Sequence, residues 1–127
     1  MQDAILILDF GSQYTQLIAR RVRELQVYCE IHPHNNIPSD WKRFNAVILS
    51  GSPYSTLEAD APNPDINIFL GKIPVLGVCY GAQYIAKIKG GQVASSKHRE
   101  YGRAKINGLY NSSKLLTGIP MDSSVWM

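Results

Sequence analysis

Residues 73–83 read IPVLGVCYGAQ, and this stretch decides the fold of the chain. Residues 73–78 form an apolar run that is typical of a buried strand, and residues 83–89 predict a short amphipathic helix. Cys79 lies at the junction, with one glycine two residues before it and another two residues after it. A strand, a tight turn that carries a nucleophilic side chain, and a helix together predict a nucleophile elbow.

Cys79 is therefore a candidate catalytic nucleophile. Gly77 and Gly81 permit a sharp turn because neither carries a Cβ, and such a turn usually strains the backbone of the nucleophile. The helix start supplies free N–H groups and the positive end of a dipole, which favour the reactive thiolate over the thiol. The alternative interpretation is a buried structural cysteine at the end of a core strand, and a cysteine without these two glycines would be interpreted that way.

The first 91 residues alternate between strand and helix patterns. Strands are predicted at residues 4–8, 27–31, 46–49 and 74–78, and helices at residues 14–25, 66–70 and 83–89. The alternation predicts an α/β fold with right-handed crossovers, a mostly parallel sheet and helices on both of its faces. On the elbow helix, Ala82, Ile85, Ala86 and Lys89 share one face.

After Gly91 the pattern changes. Residues 92–95, 103–106 and 124–126 predict short strands that are separated by loops, with no α-helix between them. This pattern is typical of a small antiparallel extension added to a parallel sheet. The sequence contains no internal repeat, low-complexity tract or linker, so we expect one domain over residues 1–127.

The predicted sheet brings three turns together. Ligands of such sheets lie beyond the carboxyl ends of the strands, which places residues 9–13, 50–53 and 77–81 at one edge. An acyl carbon under attack by Cys79 would develop an oxyanion, which requires donors held in advance. The backbone N–H of Tyr80 is one candidate donor, and the Gly51–Ser52 turn is the best candidate for the second. The alternative for residues 50–53 is a tight turn that contacts no substrate.

Composition narrows the classes of function. Of 127 residues, 45% are hydrophobic and 18% are charged, which is ordinary for a soluble globular domain. No apolar run approaches the roughly 20 residues that span a bilayer, and the N-terminus lacks the pattern of a signal peptide, so we expect no membrane partner. Two cysteines are too few for a disulfide scaffold and wrongly spaced for zinc, which predicts a cytoplasmic protein without a metal site. The net charge of +3, with basic clusters that lack interleaved aromatic residues, does not favour nucleic-acid binding.

The sequence around Cys79 resembles the nucleophile motif of the class I glutamine amidotransferases, which reads here Gly-Val-Cys-Tyr-Gly-Ala-Gln after an apolar strand. Four further segments resemble one branch of that family, in which ammonia from glutamine converts XMP to GMP. They are residues 5–14, 18–24, 99–102 and 125–127. The resemblance implies a flavodoxin-like fold in which a thiolate attacks the carboxamide of glutamine and releases ammonia. Water then hydrolyses the γ-glutamyl thioester that remains.

The resemblance also implies roles for individual residues. Cys79 matches the family nucleophile, and the backbone amides of Tyr80 and of the Gly51–Ser52 turn match its oxyanion hole. Gln83 matches a glutamine on the first turn of the elbow helix that helps to hold the substrate. Without the family, Gln83 would be interpreted as a surface residue of the helix.

The resemblance implies partners beyond this chain. In that branch of the family the ammonia passes to an ATP-pyrophosphatase synthetase domain, which uses ATP and Mg²⁺. No phosphate-binding motif of that kind occurs in the sequence, so we expect glutamine as the ligand of this chain and no cofactor within it. An unpaired sheet edge would favour association, so a homodimer is a further expectation.

The sequence departs from the family pattern in two places. The oxyanion turn of the family usually has a second glycine where Ser52 stands; if that position needs a positive φ, the serine would be strained by about 1 kcal/mol or more. The family also uses a histidine and a glutamate two residues apart on a later strand. His32 and His34 have no such glutamate, and His98, which is followed by Glu100, matches a loop of the family instead.

We therefore expect a glutamine amidotransferase domain that is truncated before the triad histidine and glutamate. A cysteine without its imidazole partner lacks a general base and an acid for the leaving group, so the isolated chain should have little or no glutaminase activity. The alternative is a non-catalytic binding or regulatory module that keeps the amidotransferase scaffold.

Overall fold

Four parallel strands form the central sheet in the order β2-β1-β3-β4. The computed structural model describes residues 2–95, 102–110 and 112–126. The strands are β1 (Ala4–Asp9), β2 (Tyr28–Pro33), β3 (Ala46–Leu49) and β4 (Val75–Gly77), and the α-helices are α1 (Thr15–Glu24) and α2 (Tyr80–Ile88). Two short 3-10 helices, Trp41–Arg43 and Ile66–Ile68, lie in the connections. The four predicted parallel strands are confirmed, and the predicted helix at residues 66–70 is a single 3-10 turn.

Helices cover both faces of this sheet. On one face, Val22 of α1 packs in the same buried cluster as Ile7 of β1. On the other face, Tyr80 and Tyr84 of α2 pack in the same buried cluster as Leu6 of β1. Successive residues of β1 therefore face opposite sides, and both sides are buried, which explains the unbroken apolar run in its sequence.

Helix α2 differs from its predicted form. It begins at Tyr80, whereas the sequence pattern predicts a start at Gln83. The elbow takes only the two residues between β4 and Tyr80, so the helix starts directly after the turn. Its buried residues are Tyr80, Gly81 and Tyr84, while Ala82 is exposed. The two aromatic rings, rather than the alanines, therefore form the face that packs on the sheet.

The chain packs as two units, Met1–Val93 and Ala94–Met127. In the second unit, β5 (Arg103–Lys105) and β6 (Ser124–Trp126) pair antiparallel in a two-stranded sheet of their own. Two of the three predicted short strands are thus confirmed. The third prediction is wrong, because residues 92–95 follow the left-handed Gly90 at the end of α2 and form no strand.

Two further observations concern the described residues as a whole. No helix among them is long and apolar enough to cross a membrane. Within residues 2–95, 102–110 and 112–126, no group of three or more His, Cys, Asp or Glu side chains could hold a metal ion.

A cluster of polar side chains surrounds Glu30 on β2. Arg43 donates two hydrogen bonds to its carboxylate, at 2.5 and 2.7 Å, and the Tyr28 hydroxyl donates a third at 2.8 Å. His32 Nε2 lies 3.0 Å from the same carboxylate. The hydrogen bonds from Arg43, and then that of His32, hold the pKa of Glu30 far below its usual range.

We expect the polar cluster around Glu30 to make the free energy of unfolding depend on pH in the acid range. A carboxyl whose pKa is lowered by folding stabilises the fold above its unfolded pKa of about 4.3, and this stabilisation is lost as the pH falls through the folded value. The wild-type chain should therefore be more stable than Glu30→Gln between pH 5 and 7, and the difference should shrink below about pH 4. Urea unfolding across this pH range measures it. Glu24→Gln is the control, since the Arg21–Glu24 pair is exposed, and a difference that grew towards low pH would contradict the expectation.

We expect that only glycine fits at position 81 without moving the helix. A Cβ at this position would lie 2.5 Å from the backbone oxygen of Leu49, so Gly81→Ala must push α2 away from β3. We expect a loss of about 1–3 kcal/mol in the free energy of unfolding, as for other overpacked buried sites. Chemical denaturation measures it. Gly108→Ala is the control, because a Cβ there would have open space and its φ is not positive. Equal effects of the two substitutions would contradict this reason.

Candidate active site

Cys79 lies between β4 and α2 with an exposed side chain. Its backbone has φ 52° and ψ −112°, a left-handed conformation that residues other than glycine seldom adopt. Such a conformation costs about 1–3 kcal/mol and occurs most often at functional sites. The strand–turn–helix arrangement predicted for residues 77–81 is therefore present, and its strain falls on the predicted nucleophile.

Both glycines of the elbow are required by close backbone approaches. A Cβ on Gly77 would lie 2.5 Å from the backbone nitrogen of Ala82, and a Cβ on Gly81 would lie 2.5 Å from the backbone oxygen of Leu49. Real Cβ contacts are essentially never this short, so any side chain at either position would move α2. The two glycines thus bring the start of the helix against the ends of β3 and β4.

The three turns predicted to converge do lie together. A Cβ placed on Gly51 would be 3.5 Å from Cys79 Cβ and 3.6 Å from Ser12 Oγ. A Cβ placed on Gly11 would be 3.5 Å from Pro53 Cδ. The turn after β3 therefore lies between the turn after β1 and the elbow, as expected for the carboxyl edge of a parallel sheet.

Ser50 joins these three turns. It is fully buried, and its Oγ accepts a hydrogen bond from the N–H of Phe10 at 2.9 Å and donates one to the Gly51 carbonyl at 3.0 Å. Its own carbonyl accepts the N–H of Gly81 at 3.2 Å. Sequence reasoning included Ser50 only as the first residue of a turn. No local pattern marks a serine whose partners lie 40 residues before it and about 30 residues after it.

Backbone donors are available beside the Cys79 side chain. Tyr80 is the first residue of α2, where helical N–H groups have no intrahelical partner. Among the described residues, the N–H groups of Tyr80, Gly51 and Ser52 have no hydrogen-bond acceptor. These are the donors that the sequence suggested for an oxyanion hole. Gln83 lies on the first turn of α2 with an exposed side chain, and its own N–H donates to the Cys79 carbonyl at 3.1 Å.

The strain expected at Ser52 is absent. The residues other than glycine with positive φ in the described chain are Gln26, Cys79 and Asp122, so Ser52 does not occupy a left-handed conformation. Its hydroxyl instead accepts a hydrogen bond from the N–H of Tyr54 at 3.2 Å, which stabilises the turn locally. The backbone of the turn therefore shows no strain from the serine at this position.

The described histidines are engaged away from Cys79. His32 pairs with Glu30, and the ring of His34 stacks on Phe10 at a centroid distance of 5.4 Å. Strand β2, which carries His32 and ends one residue before His34, is separated from β4 by β1 and β3, or roughly 14 Å at ordinary strand spacing. His98 and Glu100 lie outside the described residues.

Comparisons with known proteins agree with this geometry. The sequence profile of the family described as glutamine amidotransferase class-I matches residues 6–127. Over all 127 residues the chain is 58% identical to GMP synthase [glutamine-hydrolyzing] of Christiangramia forsetii, 58% to that of Cytophaga hutchinsonii and 49% to GMP synthase [glutamine-hydrolyzing] 1 of Bacteroides thetaiotaomicron. The chain spans 25% of the length of each of these relatives.

A solved structure extends the comparison to the fold. The crystal structure of a Thermoplasma acidophilum protein, described as one of the subunits of a GMP synthase, superposes with a TM-score of 0.77 at 29% identity. The match covers 99% of this chain and 64% of that one. On the strength of the profile, the relatives and the strained cysteine elbow, the chain belongs to the class I glutamine amidotransferase family.

Proposed function

We propose that this chain is the nucleophile-bearing part of the glutaminase half of a GMP synthase. In this proposal the glutaminase half hydrolyses glutamine to glutamate and supplies the ammonia that aminates XMP to GMP, and this chain contributes the nucleophile. The observation that carries the proposal is the exposed Cys79 on its strained elbow, next to the Gly51 turn. The names of relatives that are 46–58% identical support the choice of GMP synthase within the family.

The chemistry follows from the positions of these groups. The Cys79 thiolate would attack the carboxamide carbon of glutamine, and the oxygen that becomes negative would accept hydrogen bonds from the N–H groups of Tyr80 and of the Gly51–Ser52 turn. Collapse of the tetrahedral intermediate breaks the C–N bond, and the nitrogen takes up a proton and leaves as ammonia. Water then attacks the thioester, which yields glutamate and restores the thiol. Gln83, exposed on the first turn of α2, is the proposed contact for the substrate.

The described residues supply the nucleophile and the amides but no imidazole paired with Cys79. Without a general base and an acid for the leaving group, acylation and release of ammonia should both be slow. We therefore expect the 127-residue chain by itself to turn over little glutamine, although Cys79 should still react with an electrophile that needs no leaving-group acid.

The remaining partners are part of the same proposal. An ATP-pyrophosphatase synthetase domain would accept the ammonia and would bind ATP and Mg²⁺. Support for it comes from the relatives, which carry the name GMP synthase and are about four times as long as this chain. The homodimer suggested by the sequence and the cytoplasmic location stay predictions.

A diazo-ketone analogue of glutamine, 6-diazo-5-oxo-L-norleucine, tests the site directly. In its reaction with a thiol, the thiol proton is transferred to the diazo carbon, a C–S bond forms at that carbon and N₂ leaves. We therefore expect one adduct per chain, on Cys79, and slower labelling when L-glutamine is added. Peptide mass spectrometry locates the adduct. Cys29 should stay unlabelled because it is 3% exposed and its thiol contacts the Ala19 carbonyl.

Two variants and a second reagent complete this test. Cys79→Ser should abolish labelling, and Cys29→Ser should leave it unchanged. Iodoacetamide, which has no glutamine-like group, reports whether the Cys79 thiol is accessible at all. If iodoacetamide modifies Cys79 while the diazo-ketone does not, the glutaminase proposal is wrong and a non-catalytic module of the same fold is favoured.

A further inference from the structure

One face of α2 is tied to the loop that follows the Gly51 turn. This loop, residues 54–65, is called the tethered loop below; it connects the turn to the 3-10 helix at Ile66. The Tyr80 hydroxyl donates to the Pro62 carbonyl, and the Tyr84 hydroxyl donates to the Pro64 carbonyl at 2.6 Å.

A third tether follows along the same helix. Lys87 Nζ donates to the carbonyl of Thr56, near the beginning of the tethered loop, at 2.8 Å. Residues 80, 84 and 87 are spaced by four and three, so their side chains lie on one side of a helix. Three donors in a row therefore bind three main-chain oxygens of a single loop.

The two tyrosines are buried and packed against aromatic rings as well as hydrogen-bonded to the loop. Tyr80 is 3% exposed and Tyr84 is 5% exposed. Their rings stack with a centroid distance of 6.0 Å, and the Phe10 ring lies 5.4 Å from one and 6.2 Å from the other. Aromatic packing thus fixes both hydroxyls, which lowers the entropy lost when they bind the loop.

The acceptors are also restricted. Pro62 and Pro64 have fixed φ and no N–H, so their segment cannot form a ladder of its own, and buried carbonyls there need donors from elsewhere. Burial raises the pKa of both Tyr80 and Tyr84. The two hydroxyls therefore remain protonated donors throughout the pH range in which a thiol ionises.

We propose that Tyr80, Tyr84 and Lys87 are positioning residues that hold the tethered loop on α2, and thereby fix the Gly51–Ser52 amides relative to Cys79. Tyr80 contributes in two ways. Its backbone N–H is a proposed oxyanion donor, and its hydroxyl anchors the tethered loop, which follows the turn that carries the Gly51 and Ser52 amides. The inference rests on the glutaminase function proposed above, since it concerns how that site is organised in advance.

The test compares Tyr80→Phe, Tyr84→Phe and Lys87→Met with the wild-type chain. The measured quantities are the maximal rate of Cys79 labelling by 6-diazo-5-oxo-L-norleucine, the concentration at half-maximal rate, and the rate of alkylation by iodoacetamide. We expect each substitution to lower the maximal diazo-ketone rate about fivefold or more, as for the loss of one hydrogen bond. The iodoacetamide rate should stay constant, because that reagent does not use the amides.

Matched controls separate positioning from general destabilisation. Lys87→Arg keeps a donor and should restore the diazo-ketone rate that Lys87→Met loses. Tyr28→Phe removes a hydroxyl bonded to Glu30 on β2, and Lys89→Met removes a charge from the end of α2, so both should label at the wild-type rate. If a tyrosine variant fails to fold by circular dichroism, the Lys87 pair decides, since Lys87 is exposed and its replacement leaves the core unchanged.

The outcomes distinguish the two proposals. If the wild-type chain is labelled and the Phe and Met variants are labelled equally fast, the positioning role is wrong and the glutaminase function stands. If the substitutions slow both reagents alike, the effect is on thiol access and the positioning role is again wrong. If the diazo-ketone does not label the wild-type chain at all, both proposals fail.

Discussion

The site depends on how closely α2 approaches the end of β3. Gly81 has no side chain, so its backbone lies where a Cβ would be only 2.5 Å from the Leu49 oxygen, and its N–H reaches the Ser50 carbonyl. The N–H of Val78 bonds to the Leu49 carbonyl at 3.0 Å from the other side of the elbow. These contacts set the height of the helix start above the sheet, and hence the position of Cys79.

Ser50 transmits this arrangement to the neighbouring turns. Because its side chain is fully buried, the hydroxyl must find partners within the protein, and it finds them in the Phe10 N–H and the Gly51 carbonyl. The same residue therefore connects the ends of β1 and β3 to the start of α2. The buried Ser50 therefore determines the position of any donor that faces the Cys79 side chain from the Gly51 turn.

The strain at Cys79 needs an opposing interaction, and the aromatic cluster is well placed to supply it. The rings of Phe10, Tyr80 and Tyr84 pack against one another at the base of α2. Each aromatic pair contributes about 0.5–1.5 kcal/mol beyond its buried area, and the backbone strain costs about 1–3 kcal/mol, so the two effects are of similar size. The helix can therefore stay seated on the sheet although its first turn begins at a strained residue.

The sequence by itself determined the four parallel strands, the two α-helices and their order along the chain. Apolar runs of four to six residues are strands because only a doubly covered parallel sheet buries both of their faces, and the glycines at positions 77 and 81 mark the elbow because no other residue fits the close approach. The tertiary structure alone decided that Tyr80 and Tyr84 are buried, that residues 92–95 form no strand, that Ser52 is unstrained, and that Ser50 joins three turns. Local patterns encode backbone conformation within a few residues. The burial of the two tyrosines and the junction at Ser50 depend instead on contacts between segments 18 to 40 residues apart, and such contacts exist only once strand order and register have brought the segments together.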